Sequence, residues 1–172
     1  MPVVQYNHMA ASSKVLFLDI DGVLNHAEEG QDLYFDEFGA GQVPICQENL
    51  DRLLSILRQM PELKIVWCTS WRNYDEPTWR SLKNPRLFLE GIPEIRKRLL
   101  GRTPQRMSSE HWNDVHWWLM ANKGTKSYAI LDDLEYPRSY HGLAEHQVVC
   151  DPCKGLTEQD VEKCLEILRR KS

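Results

Sequence analysis

No stretch of the 172-residue chain approaches the run of ~18 apolar residues that a membrane span requires. Met1 to Ser13 also lack the basic start and apolar core of a secretory signal. The expectation is a cytoplasmic protein with no membrane partner. Cysteine is scarce: Cys46, Cys68, Cys150, Cys153 and Cys164 are an odd number and widely scattered. A chain of this size can close a core without disulfide staples, so reduced thiols are expected. There is no internal repeat, no low-complexity tract and no Pro/Gly-rich linker. Nor is there an excess of positive charge, since 21 Lys plus Arg stand against 25 Asp plus Glu for a net charge of -4. No global field therefore draws a polyanion, and nucleic acid could be bound only through a local basic patch.

What is present is an apolar fraction of 42%, enough for one well-buried core, and a single domain over 1–172 with its core at about 14–170 is expected. Lys14 to Leu18 is a short apolar run ended by Asp19, as in a strand buried on both faces. Asp21-Gly22 then demands a turn. Gln47 to Met60 places Leu50, Leu53, Leu54 and Leu57 at helical spacing and stops at Pro61, and Leu63 to Cys68 returns as a strand. Ser108 and Ser109 can cap a helix with Trp112, Val115 and Leu119 on one face, ending near Asn122 to Gly124. Tyr128 to Leu131 is the next strand and ends at Asp132. Gln147 to Cys150 is a last strand, and Thr157 to Asp160 resembles a capping box opening a helix with Val161, Cys164, Leu165 and Leu168 inward.

Repeated βαβ units predict an α/β fold, a Rossmann-like domain with a central, mostly parallel sheet flanked by helices. Ligands in that architecture bind at the carboxyl ends of the strands, which directs attention to Asp19, Thr69, Asp132 and Asp133. Core packing asks for none of these side chains there, and converging acids repel. A divalent cation resolves the conflict, and Mg²⁺ prefers such oxygen ligands and bridges to phosphate. One carboxylate can then attack phosphorus, while an acid two residues on moves the leaving-group proton and activates water. Gly22 permits the turn between them. The Thr69 hydroxyl, or Ser70 in its place if the strand register is displaced by one, can hold a phosphate oxygen together with a cation.

The run Val15-Leu16-Phe17-Leu18-Asp19-Ile20-Asp21-Gly22-Val23-Leu24 closely resembles the first motif of the haloacid-dehalogenase (HAD) superfamily. Val66-Trp67-Cys68-Thr69-Ser70 resembles its second motif and Tyr128-Ala129-Ile130-Leu131-Asp132-Asp133 its fourth. Within the superfamily the chain is similar to small HAD proteins related to those of RNA-repair polypeptides. These carry Thr-Ser-Trp-Arg after the second strand, here Thr69 to Arg72, and Asp-Pro-x-x-Gly-Leu-Thr near the end, here Asp151 to Thr157. The resemblance spans roughly residues 14 to 168. It implies that Asp19 is the nucleophile, Asp21 the acid/base, Thr69 the phosphate ligand, and Asp133 a metal ligand supported by Asp132. It further implies that Asp21 meets the metal through its main-chain carbonyl, while Asp19 and Asp133 use carboxylate oxygens.

The basic third motif departs from the pattern. Relatives tend to show Arg followed by Gly and Glu, whereas this chain reads Arg106-Met107-Ser108-Ser109-Glu110. Arg106 is the candidate, with Arg72 or Lys123 as substitutes. Lys123 is expected at the amino end of the sheet, away from the crevice. Gly22, Ser70 and Arg72 complete the expected substrate contacts. Residues 25–44, with Leu33, Tyr34 and Phe35 among acids and glycines, stand where HAD proteins insert a cap and are long enough only for a flap or loop.

The resemblance implies a Mg²⁺-dependent phosphomonoester hydrolase acting on a phosphorylated substrate, with a nucleotide or polynucleotide end as the expected class. A phosphotransferase and a non-catalytic HAD-like binding domain are the alternatives. Cys150 and Cys153 share a CxxC spacing but lack a second pair, so turn cysteines are expected. Trp112, Trp117 and Trp118 read as core and rim, and His26, His111 and His116 as surface or core residues. The oligomeric state has no sequence signature.

Overall fold

A computed structural model describes residues 14–27, 44–73, 84–104 and 110–170. Among these residues five strands, all parallel, form one sheet in the order β3-β2-β1-β4-β5. They are β1 (Lys14–Leu18), β2 (Lys64–Trp67), β3 (Leu99–Arg102), β4 (Ser127–Asp132) and β5 (Gln147–Val149). Parallel neighbours need crossovers, and the helices supply them. These are α1 (Gln47–Gln59), α2 (Pro85–Glu90), α3 (Pro93–Arg96), α4 (His111–Ala121) and α5 (Glu158–Arg169). Among the described residues no helix is long and apolar enough to cross a membrane.

Val15, Leu16, Phe17 and Leu18 of β1 are all fully buried, because helices cover both faces of the sheet. On one face Leu16, Leu18, Ile65, Trp67 and Leu131 meet Leu50, Leu53, Leu54 and Leu57 of α1 and Val161, Cys164, Leu165 and Leu168 of α5. On the other, Val15, Phe17, Val66, Cys68 and Ile130 meet Val115 and Trp118 of α4. The leucine stripe of α1 and the inward residues of α5 are those that the sequence periodicity selects. The α5 start is a capping box: the Thr157 hydroxyl oxygen accepts from the Asp160 amide while the Asp160 carboxylate accepts from the Thr157 amide.

Three elements had no sequence expectation. β3 is a four-residue edge strand containing Gly101, and α2 and α3 have six and four residues, too short for a period to register. The α4 start also differs: the helix opens at His111 with Glu110 at the cap and no side-chain cap hydrogen bond. Ser108 and Ser109, the expected caps, lie outside the described residues, as do residues 28–43 of the flap or loop expected over 25–44.

The order β3-β2-β1-β4-β5 reverses direction between β1 and β4. A crevice at such a switch point is the preferred ligand site of an open α/β sheet.

Candidate active site

Leu18 pairs with Trp67 on one side and Leu131 on the other. The Cys68 amide still donates to Leu18 O at 2.9 Å and the Asp19 amide to Leu131 O at 3.0 Å. Continued by one residue, the register sets Asp19 between Cys68 and Asp132. Side chains alternate along a strand, so Asp19 leaves on the same face as Phe17, toward α4. The first residue of α4, His111, closes over this row, with Nδ1 at 2.8 Å from Asp132 Oδ2 and 3.6 Å from Asp19 Oδ2.

Asp19 is 4% exposed. Its Oδ1 accepts from the Ile20 amide at 2.7 Å, which leaves Oδ2 directed at the crevice. Burial, and after it the neighbouring Asp132 charge, push the Asp19 carboxyl well above the usual range, with His111 pulling back. Asp133 is pushed up to about 6 by burial and by Asp132. Asp21 is raised by burial, against hydrogen bonds to its Oδ1 from Asn25 Nδ2 at 2.9 Å and to its Oδ2 from Trp71 Nε1 at 2.8 Å. Burial alone would lower His111, but its hydrogen bond to Asp132 and the charges of Asp19 and Asp132 outweigh it and hold the imidazolium up to about 9.

Carboxylate oxygens of Asp19, Asp132 and Asp133 lie within 4.8 Å of one another. Three acids held this close, with Asp19 and Asp133 both raised, are an arrangement that a hard divalent cation relieves. The all-oxygen donor set suits Mg²⁺, so the residues fit the expected ion. Thr69 is fully buried and its Oγ1 accepts from the Trp71 amide at 3.4 Å, whereas Ser70 is exposed at the start of the 3-10 turn Ser70–Asn73.

A model of the family described as the HAD domain in Swiss Army Knife RNA repair proteins matches residues 15–161. The chain belongs to this HAD family. The solved structure of the HAD domain of the effector protein Lem4 from Legionella pneumophila is similar to it with a TM-score of 0.56 and 14% identity, covering 92% of this chain and 96% of that one. That likeness concerns the fold. No curated protein matches.

In this HAD domain the Thr-Ser-Trp-Arg motif acts largely behind the site. Arg72, expected at the substrate, is 3% exposed and is bound to the buried Asp114 carboxylate, with Nη1 donating to Thr69 O at 2.6 Å. Its guanidinium thus pins the turn after β2 to α4 instead of reaching into the crevice. A buried Arg with an ionised partner stays with that partner, because leaving either charge alone costs several kcal/mol, ~3–5 in typical cases. Trp71 contributes more directly, through the indole that holds Asp21. The terminal motif braces the nucleophile loop. The Leu156 amide donates to Val23 O at 2.8 Å, the Ala27 amide to Pro152 O at 3.0 Å, and Asn49 Nδ2 to Lys154 O at 3.3 Å.

Arg106 lies outside the described residues. Lys123 follows the C-terminus of α4, and the 11 residues of that helix separate it from the crevice by about 16 Å at 1.5 Å per residue. His111, read from sequence as surface or core, is the cation that the structure brings to Asp19. Its signal was faint: a histidine at the first position of the helix preceding the fourth motif, where relatives carry their basic residue nearby. Replacing His111 by Gln should remove about 2–4 kcal/mol of transition-state stabilisation, the usual effect of deleting a preorganised donor, with Lys at this position recovering part of it. Steady-state kinetics of the two variants on an activated aryl phosphate would show the difference; equal rates for wild type and Gln would remove His111 from the machinery.

Gly22 has φ +71°, and a Cβ placed there would stand 2.7 Å from Asp133 Cβ, Cγ and Oδ2. Gly22→Ala should therefore lose about 1 kcal/mol to the left-handed backbone and also displace Asp133. Thermal melting and metal titration would report the two effects separately: a melting point lowered by about 2–4 °C and a weakened response to Mg²⁺. Unchanged metal affinity would mean that Asp133 tolerates the displacement.

Proposed function

We propose that the protein is a Mg²⁺-dependent phosphomonoester hydrolase that works through an aspartyl-phosphate on Asp19. One observation carries this reading: the Asp19 carboxylate stands at the end of the central strand, with Asp132 and Asp133 oxygens within 4.8 Å and the His111 cation at 3.6 Å. When bound, the metal lowers repulsion between the carboxylate nucleophile and the phosphate and polarises the phosphoryl group.

Asp19 Oδ2 attacks phosphorus and the P–O bond to the leaving group breaks. Asp21, fixed by Asn25 and Trp71, gives its proton to the departing oxygen. A raised carboxyl suits that duty. Asp21 then takes a proton from water as the water oxygen attacks phosphorus, and the bond from Asp19 to phosphorus breaks to release inorganic phosphate. His111 balances charge beside Asp19 through both steps. Thr69, where the resemblance sets a phosphate contact, is held by the turn that Arg72 pins.

The substrate class we favour is a nucleotide or a polynucleotide end. The support is the description of the family, HAD domains of RNA repair proteins, against which the net charge of -4 weighs for long polyanions. Five free cysteines among the described residues accord with a reducing, cytoplasmic setting. The experiment is a phosphate-release screen with Mg²⁺ over nucleotides, sugar phosphates, phosphopeptides and 5′- or 3′-phosphorylated oligonucleotides. Release from an oligonucleotide end or a nucleotide is the expected result. Release confined to phosphopeptides or sugar phosphates would overturn the substrate class, and no release from any substrate would overturn the hydrolase reading.

A further inference from the structure

The row at the strand ends holds a donor that phosphate hydrolysis does not use. The Cys68 thiol is buried beside Asp19 by the same register that sets Asp132 on its other side. Neighbouring strands lie about 4.8 Å apart, and a ring nitrogen of His111, Cys68 Sγ and an Asp132 oxygen all fall within 4.8 Å of one another. Asp19 Oδ2 lies 3.6 Å from His111 Nδ1, but Asp19 belongs to the neighbouring group with Asp132 and Asp133. A tetrahedral ion with ~2.0–2.1 Å bonds to nitrogen and oxygen and ~2.3 Å to sulfur separates its ligands by about 3.3–3.8 Å, so the ion replaces the 2.8 Å hydrogen bond between His111 Nδ1 and Asp132 Oδ2 and opens that pair slightly.

We propose that Cys68, His111 and Asp132 form a second metal site that takes a zinc-class ion and competes with the catalytic magnesium. The two donor sets share Asp132, so one ion displaces the other. They differ in chemistry: thiolate and imidazole favour zinc, whereas Asp133 with its carboxylate neighbours favours a hard ion. The supports that such ligands require are also in place. Tyr136 donates its hydroxyl to Asp132 Oδ2 at 3.0 Å and lies 3.9 Å from Cys68 Sγ, while the Leu134 amide donates to Asp132 Oδ1 at 3.0 Å. On binding, Cys68 enters as thiolate and His111 through Nδ1, and their protons pass to solvent. An ion held there takes Asp132 from the magnesium site and His111 from its place beside the nucleophile, which makes zinc an inhibitor of the reaction proposed above. The binding itself does not depend on that reaction.

The test is an absorption titration of the whole, metal-free chain with Co²⁺, followed by Zn²⁺. The expected result is a thiolate-to-cobalt charge-transfer band with the intense visible absorption of a tetrahedral ion, bleached stoichiometrically by zinc and weakened by excess magnesium. Cys68→Ser should abolish the band and weaken zinc binding by ~100-fold or more. His111→Gln, measured separately, should do the same even if the cysteine variant fails to fold by circular dichroism. Cys153→Ser should retain the band, because Cys153 is exposed in a separate turn. A wild-type titration without the band, or a band that survives His111→Gln, would overturn the proposal. The readout needs no substrate, so an inert protein that gives the band would defeat the hydrolase reading alone, and an active enzyme without it would defeat this inference alone.

Discussion

Asp19→Asn should abolish turnover, with a loss on the order of 10⁶, comparable to removal of a nucleophile in other covalent enzymes. The amide cannot form the phosphoryl ester, and two of the neighbouring carboxylates are engaged elsewhere: Asp21 is held by Asn25 and Trp71, and Asp132 by His111, Tyr136 and Leu134. Asp21→Asn should behave differently. It removes leaving-group protonation and water activation, worth roughly 10²–10⁴, but leaves the nucleophile intact. With an aryl phosphate whose leaving group needs no proton, the second variant should accumulate phospho-enzyme. Rapid-quench mass spectrometry reads both results, and phosphate bound to the Asp19→Asn protein would mean that another residue attacks. In the absence of metal the Asp19→Asn protein should also melt above wild type, because one of three crowded acids has lost its charge.

Removing Mg²⁺ with a chelator should eliminate activity, and Ca²⁺ should restore it poorly, since its larger, irregular shell spoils in-line geometry. Full turnover in excess chelator would refute the metal requirement. The same ion should change the pH dependence of stability. Asp133 rises from 3.8 to about 6 on folding, so between those values the folded chain holds a proton that the unfolded chain has released. Metal-free stability accordingly falls as pH rises through that window. His111, raised from 6.5 to about 9, contributes stability that is complete below 6.5 and is lost as pH rises through 9. Both trends run in one direction, and a metal that neutralises the acids should flatten the first. Melting curves with and without Mg²⁺ should diverge above pH 6 and converge near pH 4; parallel curves across this range would separate the ion from the acid cluster.

The central strands and their terminal acids could be read from the chain because each carries a local signature. β1 and β4 are apolar runs ended by Asp, α1 has a leucine stripe closed by proline, and α5 opens on its own cap. β3, α2 and α3 escaped, being held by neighbours more than by any period of their own. Arg72 shows the limit for site residues. A basic side chain three positions after a threonine expected to meet phosphate reads as a ligand, and only the fold reveals that Asp114, 42 positions away, already holds it. His111 shows the converse. Its place ahead of the fourth motif is a faint signal that a surface histidine could equally give; the register of β1 and β4, with α4 laid over them, gives it two carboxylates.

The turn at Asp151–Thr157 ties the last part of the chain to the loop that carries Asp21 and Gly22. Its hydrogen bonds to Val23 and Ala27 join segments far apart in the sequence, so a partly folded species lacking the C-terminal helix should lack these braces of the nucleophile loop. α5 packs on β4 while the turn before it grips the residues after β1. Fraying at the C-terminus and opening of the nucleophile loop are therefore one cooperative event, and amides in both places should exchange with solvent at a common rate set by that event.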